Sequence, residues 1–362
     1  MRHHYLTACL ALFCLLEPVV PVHAADSSLL TPEEKSRLIA LIKSDDSAKS
    51  AFNKLQEEAD SALHRDPKPI QTIQTQGQLA GSKAKVATAT ALKDMDALYA
   101  LGYVYAVTGE AKYADKTRKI VLAWADINKP TGDPIDETNL ESLFVAYDLT
   151  RSTFSDPERN AADAYLRKII AEEWGAPQKT SNWQSHRLKV IGLAAYALND
   201  QAEIDKAIDG FKQQIALNLE PDGSSFDFHE RDALHYHVYD LEPLLALAIA
   251  AQKHGLNLYD FTAGNHASVH KSIDFLIPYC TGEKEHAEYV NSKVEFDRKR
   301  AANGQKDYKI GHPFEPEEGY MALCLASHFD PTLNQVLSKI SSKKNLMQTN
   351  WILVLNAASR SQ

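Results

Sequence analysis

The sequence is poor in glycine, in cysteine and in long apolar runs. Gly makes up 15 of 362 residues, about 4% where soluble proteins average about 7%, and strand-and-turn folds need more of it. No stretch approaches the ~20 consecutive apolar residues of a bilayer-spanning helix, which excludes a membrane span. A basic excess is missing too. The 39 Lys and Arg against 48 Asp and Glu leave a net charge of −9, which argues against a nucleic-acid partner. There is no Gly-rich phosphate loop, nucleophile elbow or paired-cysteine metal knuckle, so nucleotide, dinucleotide and serine-hydrolase readings drop out.

Of the four cysteines, Cys9 and Cys14 lie in residues 1–24, which read as an export signal: Arg2, an apolar run over 7–16, then Val22-His23-Ala24 before the cut. The mature chain is then expected to begin near Ala25 and to work in the periplasm or outside the cell. Cys280 and Cys324 remain, able to pair in an oxidising compartment if their geometry allows. Hydrophobic residues at 44% and charged residues at 24% are ordinary for a globular chain with a sizeable core.

What is present is a train of helices. Thr31-Pro32-Glu33-Glu34 combines a capping Thr, a first-turn Pro and a capping-box Glu. Helical periodicity predicts further elements over 87–108, 110–128, 138–150, 156–174, 182–198, 201–219, 226–239, 241–254, 269–279, 318–328, 331–340 and 350–358. No convincing alternating strand occurs, so the fold class is all-α. Hairpins recurring every 35–45 residues without a repeat consensus favour an incomplete (α/α) toroid over a solenoid. No Pro/Gly/Ser-rich linker interrupts 87–362, so residues 25–362 read as one domain. Two stretches, 66–85 and 281–314, lack periodicity and have the length of functional loops. Whether His286, Glu288 or Asn291 in the second reaches a cleft is left open.

Polar residues concentrate in two windows. Asn182, His186 and Lys189 share one face of a helix opening at Asn182-Trp183-Gln184-Ser185-His186-Arg187, opposite a stripe of Leu188, Ile191, Ala195 and Leu198. On these residues alone, a capped helix start with a solvated polar face explains the window as well. If the second window is helical, Arg231, His235 and Tyr239 fall along one edge, and His229 and His237 lie in the same segment. A zinc site from His186, His235 and His237 is disfavoured, because residues two apart on a helix diverge by about 200°; neither metal nor cofactor is expected. Glu137, Glu141, Glu230 and Asp232 keep a carboxylate-pair glycosidase open.

At these residues the sequence resembles the alginate lyase superfamily of helical-toroid polysaccharide lyases. The resemblance runs through Asp136-Glu137-Thr138-Asn139-Leu140-Glu141, Ala146-Tyr147-Asp148-Leu149, the Asn182 helix, and Leu234-His235-Tyr236-His237-Val238-Tyr239 with Leu241 and Pro243-Leu244. It implies Tyr239 as the catalytic phenol, His237 as the His two residues before it, and Asn182 as the Asn that opens the helix. Two departures stand out. Trp183 occupies the position of the family's His, which His186 could replace, and Asp232 that of its Arg, which Arg231 could replace.

The implied chemistry is β-elimination from an anionic polysaccharide, alginate or a related glucuronate or mannuronate polymer. Asn182 and His186 would mask the uronate carboxylate, Tyr239 would move the proton, and Arg231 would stabilise the phenolate. His235, His237, Trp183, Gln184, Arg187 and Glu141 are the expected substrate contacts, on a monomer or weak homo-oligomer. A glycoside hydrolase and a non-catalytic polysaccharide-binding protein remain the alternatives. Because the whole chain is acidic, attraction for a polyanion must be local, from His186, Arg187, Lys189, Arg231, His235 and His237.

Overall fold

The computed structural model describes residues 27–340 and 346–360; the expected export signal lies outside them. The first half of the chain forms α1 (Pro32–Ser44), α2 (Asp46–Leu63), α3 (Lys83–Ala91), α4 (Lys93–Thr108), α5 (Ala111–Ile127), α6 (Pro134–Glu137), α7 (Glu141–Thr150) and α8 (Asp156–Gly175). It continues with α9 (Asn182–Leu198), α10 (Gln201–Asn218), α11 (Phe226–Arg231), α12 (Leu234–Gln252), α13 (Val269–Cys280), α14 (Glu295–Ala302), α15 (Tyr320–Ala326), α16 (Leu333–Leu337) and α17 (Leu346–Ser359). Among the described residues there is no strand, only two isolated bridges, Leu219 with Ser225 and Ala287 with Pro313.

Local chemistry sets the ends. Thr31 and Glu34 form the expected capping box of α1, Ser155 and Glu158 form another on α8, and Gly109 closes α4 in the left-handed region at φ 71°. The hairpins pack in sequence around a ring, α2 on α4, α4 on α7, α7 on α9, and α9 on both α10 and α12. The ring closes where α17 packs on α1 and α2. There Arg37 Nε donates to the Ala358 carbonyl at 2.6 Å, and the Trp351 ring lies 6.0 Å from Phe52 and 5.7 Å from Tyr103. The result is the expected all-α toroid. No helix among the described residues is long and apolar enough to cross a membrane.

Three departures from the sequence reading matter for the site. First, α9 is not amphipathic: every residue from Gln184 to Leu198 is buried, because α7, α8, α10 and α12 surround it. Its polar side chains therefore work inside the protein. Second, 226–239 is not one helix. The backbone turns left-handed at Asp232, φ 49°, a conformation Asp tolerates better than most residues, and Asn291 secures it by donating from N at 2.8 Å and Nδ2 at 3.0 Å to Asp232 Oδ2. Third, α12 does not restart at Leu241 but runs through Pro243, which leaves the Tyr239 carbonyl without its i+4 donor. Cys280 and Cys324 are both free and buried, and burial pushes each thiol up to about 12.

Candidate active site

A cleft of about 210 Å³ opens at one mouth of the ring. Its floor is the start of α9, Asn182 and Trp183, and the first turns of α12, His235, Tyr236 and Tyr239. Arg231 enters from the end of α11 and Ile135 from α6. The walls come from the two aperiodic stretches: Thr75, Gln76 and Gly77 with Lys85 on one side, and Phe296, Arg300 and Tyr308 on the other. Lys85, Arg231 and Arg300 are cationic, and no carboxylate is among the lining residues.

Buried acids outside the cleft hold these walls. Asp136 Oδ1 accepts from Thr75 N and Oγ1, both at 2.6 Å, and from Gln76 N at 2.9 Å. Glu288 accepts from Leu234 N at 2.8 Å and His235 N at 3.0 Å, satisfying two of the orphan donors that open α12. Glu288, His286 and Asn291 thus fasten the late segment to the α11–α12 junction; His286 Nε2 lies 3.1 Å from the Asp232 carbonyl. The two walls also meet. Ala80 N donates to Gln305 Oε1 at 3.2 Å, and Asn303 Nδ2 donates to the Ala80 carbonyl at 3.3 Å.

Of the residues singled out from the sequence, Asn182, Trp183, Arg231, His235 and Tyr239 line the cleft. Although Arg231 and His235 belong to different helices, the turn at Asp232 folds α11 back so that both face the same space. Lys179 Nζ sits 3.5 Å from the Trp183 ring centroid, and His235 Nδ1 lies 3.2 Å from Glu318 Oε2.

The others lie elsewhere. His186 is buried behind Tyr239, ring centroids 4.3 Å apart, with Nδ1 2.9 Å from Thr138 Oγ1. His237 is wholly buried between Ser225 Oγ at 3.0 Å and the Ser272 carbonyl at 3.1 Å, so both ring nitrogens are occupied away from substrate. Arg187 is 1% exposed and pairs with Glu173 at 3.0 Å, also donating to the Gly132 and Pro177 carbonyls and to Gln184. Gln184 is spent on Arg187 and Gln178. Glu141 lines a second, largely apolar cavity of about 120 Å³ and pairs with Lys189 at 2.7 Å. The expected positive face of α9 is therefore neutralised inside the protein. Lys85 and Arg300, with Arg231, supply the cleft's charge instead, and only the position of Lys85 and Arg300 in aperiodic stretches hinted at them.

The same burial sets the protonation states. Burial, with a smaller push from Lys189, holds the His186 imidazole well below its ordinary range, so it is neutral at physiological pH; the Tyr239 carbonyl freed by Pro243 pulls weakly the other way. Burial also raises the Tyr239 phenol, and Glu242 and Tyr308 add to it while Arg300 opposes. The guanidinium that favours the Tyr239 phenolate is thus Arg300. Arg231 lies over the Tyr236 ring, 3.8 Å from its centroid, and pairs with Asp297 at 2.5 Å. Arg300 also donates to the Tyr236 hydroxyl and stacks 4.5 Å from the Phe296 and Tyr308 ring centroids.

The alginate lyase family model matches residues 41–286, more than half the chain. An alginate lyase of Stenotrophomonas maltophilia (strain K279a) is 25% identical over 219 residues, a match spanning 52% of this chain and 29% of the relative, less than a third of its length. The crystal structure of an alginate lyase from Bacteroides ovatus superposes with a TM-score of 0.68 at 17% identity, covering 92% of this chain and 99% of the other. Alginate lyase A1-III from Sphingomonas species A1 gives 0.53 at 18% identity, covering 70% of this chain and 78% of its own. These two structures share the ring of helical hairpins described above. With the family model spanning α2 to α13 and the cleft's floor inside that span, the chain belongs to the alginate lyase family.

Proposed function

We propose that this protein is a polysaccharide lyase that cleaves a uronic-acid polymer by β-elimination in the periplasm or outside the cell. The observation that carries the reading is the cleft lining, in which the Tyr239 phenol and the Asn182 amide stand among three cations and no carboxylate is on the lining itself. Such a lining concentrates polyanions locally despite the net charge of −9. It leaves a hydrolase without the acid pair it needs, since Glu137, Glu141, Glu230 and Asp232 all lie off the lining and bond to Gly132, Lys189, Lys293 and Asn291.

Elimination begins with removal of the C5 proton beside the uronate carboxylate. The Asn182 amide and the nearby cations mask that carboxylate as negative charge develops on it. Tyr239, as phenolate, takes the C5 proton, the C4–O4 bond breaks, and the new phenol protonates the departing O4. A single phenol serving both steps requires H5 and O4 on the same face of the ring. Mannuronate and glucuronate meet that requirement and guluronate does not, which favours polymannuronate or glucuronan as substrate. His186, neutral and packed against the phenol, orients it rather than touching the sugar.

Incubation with a panel of polyuronates tests the reading. Ultraviolet absorbance of a 4,5-unsaturated uronate end is expected with polymannuronate or glucuronan. New reducing ends without that absorbance would mean hydrolysis, and retention without cleavage a binding protein.

The phenolate requirement also fixes a pH dependence. Because Tyr239 is raised above its ordinary range, its phenolate fraction grows about tenfold per pH unit across the neutral region. kcat/KM is therefore expected to rise with pH, and Arg300→Leu to lower it at neutral pH by about 10- to 100-fold. Because the phenol titrates above its ordinary range with or without the guanidinium, the deficit should stay the same from pH 6 to 10. A loss below about threefold at neutral pH would remove Arg300 from this role.

A further inference from the structure

The Asn182 amide is gripped from behind. Its backbone N donates to Asp227 Oδ2 at 2.7 Å, and its side-chain Nδ2 donates to Asp227 Oδ1. Asp227 stands in the first turn of α11, 2% exposed, where Ser225 caps the helix. Behind it on α12 lies Asp240, with no exposure at all. Ser185 Oγ donates to Asp240 Oδ1 at 2.6 Å, and Asp240 Oδ2 has no partner.

The groups facing this pair are Asn182 and Ser185 from α9, Asn218 from α10 and Arg231 from the far end of α11. Arg231 is committed to Asp297, and among the described residues no cation hydrogen-bonds to either carboxyl. Two carboxyls this deeply buried without a counter-ion do not both ionise. The donors decide which one does. Asp227 accepts two N–H bonds, whereas Asp240 accepts one hydroxyl and keeps a bare oxygen beside the equally unpartnered Asn218 amide. The proton belongs on Asp240 and the charge on Asp227. Burial raises both acids, Asp240 the further.

We propose that Asp227 is a positioning residue: as a carboxylate, with its neighbour Asp240 protonated, it locks the Asn182 amide so that the second Nδ2 hydrogen faces the uronate carboxylate in the cleft. This rests on the reading of Asn182 as a carboxylate-masking donor. A purely structural acid pair would respond alike to amide substitution at either member. The proposed pair responds unequally, because Asn imitates a protonated Asp and not an ionised one.

The test compares Asp227→Asn with Asp240→Asn. In the resting protein, the Asn182 backbone amide proton should resonate far downfield, as carboxylate-bonded amides do. It should stay there in Asp240→Asn and lose that shift in Asp227→Asn. On polymannuronate, Asp227→Asn should lower kcat about 10- to 100-fold with KM within about threefold, and Asp240→Asn should keep kcat within about threefold. Equal losses in the two variants, or an unshifted Asn182 resonance in Asp227→Asn, would overturn the proposal. If Asp227→Asn does not fold, a pH titration of the wild-type Asn182 resonance decides. A midpoint clearly above the ~4 of a free Asp supports the grip, and no movement between pH 8 and 4 refutes it. Should the wild-type protein release no unsaturated product from any polyuronate, the lyase reading fails while the resonance still reports on Asp227.

Discussion

Tyr239→Phe is expected to lower β-elimination by about 10³-fold or more, the scale on which a positioned acid/base acts, while leaving the fold intact. No hydrogen bond of the Tyr239 hydroxyl holds the structure together, and its ring keeps its packing on His186 and Tyr236 when the oxygen is removed. Unfolding temperature should therefore stay close to that of the wild type while the ultraviolet signal of the unsaturated product disappears. Two further phenols in the cleft, Tyr236 and Tyr308, give the experiment its edge. Tyr236 also lines the cavity, but its hydroxyl is taken by Arg300 and its ring is covered by Arg231. Near-normal turnover in Tyr239→Phe would remove the acid/base role from Tyr239 and leave it to Tyr236 or Tyr308.

Arg187→Leu should be the most destabilising of the substitutions considered, by about 3–5 kcal/mol, because it strips the counter-ion from a buried group. Arg187 meets Glu173 at 3.0 Å, and Glu173 is shared with Glu137, which accepts from Gly132 N at 3.0 Å and from Thr131 N. The oxygens left without a partner, Glu137 Oε2 and Glu173 Oε1, are the two that one shared proton would join. Burial raises both carboxyls; Glu137 pushes Glu173 further up, to about 9, whereas the hydrogen bond with Glu173 draws Glu137 back down, so the shared proton belongs to Glu173.

The sign of the pH effect follows. A carboxyl whose folded pKa lies above its unfolded value binds more protons in the folded state, so stability falls as pH rises between the two values. Removing the guanidinium raises the folded values further and steepens that fall. Denaturant unfolding should thus show a larger deficit for Arg187→Leu at pH 8 than at pH 5. A deficit below about 1 kcal/mol, the scale of an exposed ion pair, or one independent of pH, would show that the pair does not depend on Arg187.

Much of the site was legible as residue types at fixed spacing. The resemblance to the alginate lyase superfamily points to Asn182 opening a helix and Tyr239 two residues after His237, and both line the cleft. The same pattern reading took Arg187, Gln184, His237 and Glu141 for cleft residues. Helical spacing tells which side chains share a face, but not whether that face meets solvent or another helix. With α9 enclosed on all sides, its guanidinium and amide satisfy buried partners on neighbouring segments. Arg300 and Lys85 escaped notice for the opposite reason. They come from stretches without periodicity, more than 50 residues from the nearest motif, and reach the cleft only because Asp136 and Glu288 tie those stretches down.

The sequence by itself determined the all-α ring, since hydrophobic periodicity, capping residues and scarce glycine are local properties that each helix carries alone. Through the family resemblance it also singled out Tyr239 and Asn182, which both line the cleft. Only the tertiary structure decided which charges line the cleft. A charge's effect depends on what lies within a few ångströms of it, and in a closed ring those neighbours come from distant parts of the chain.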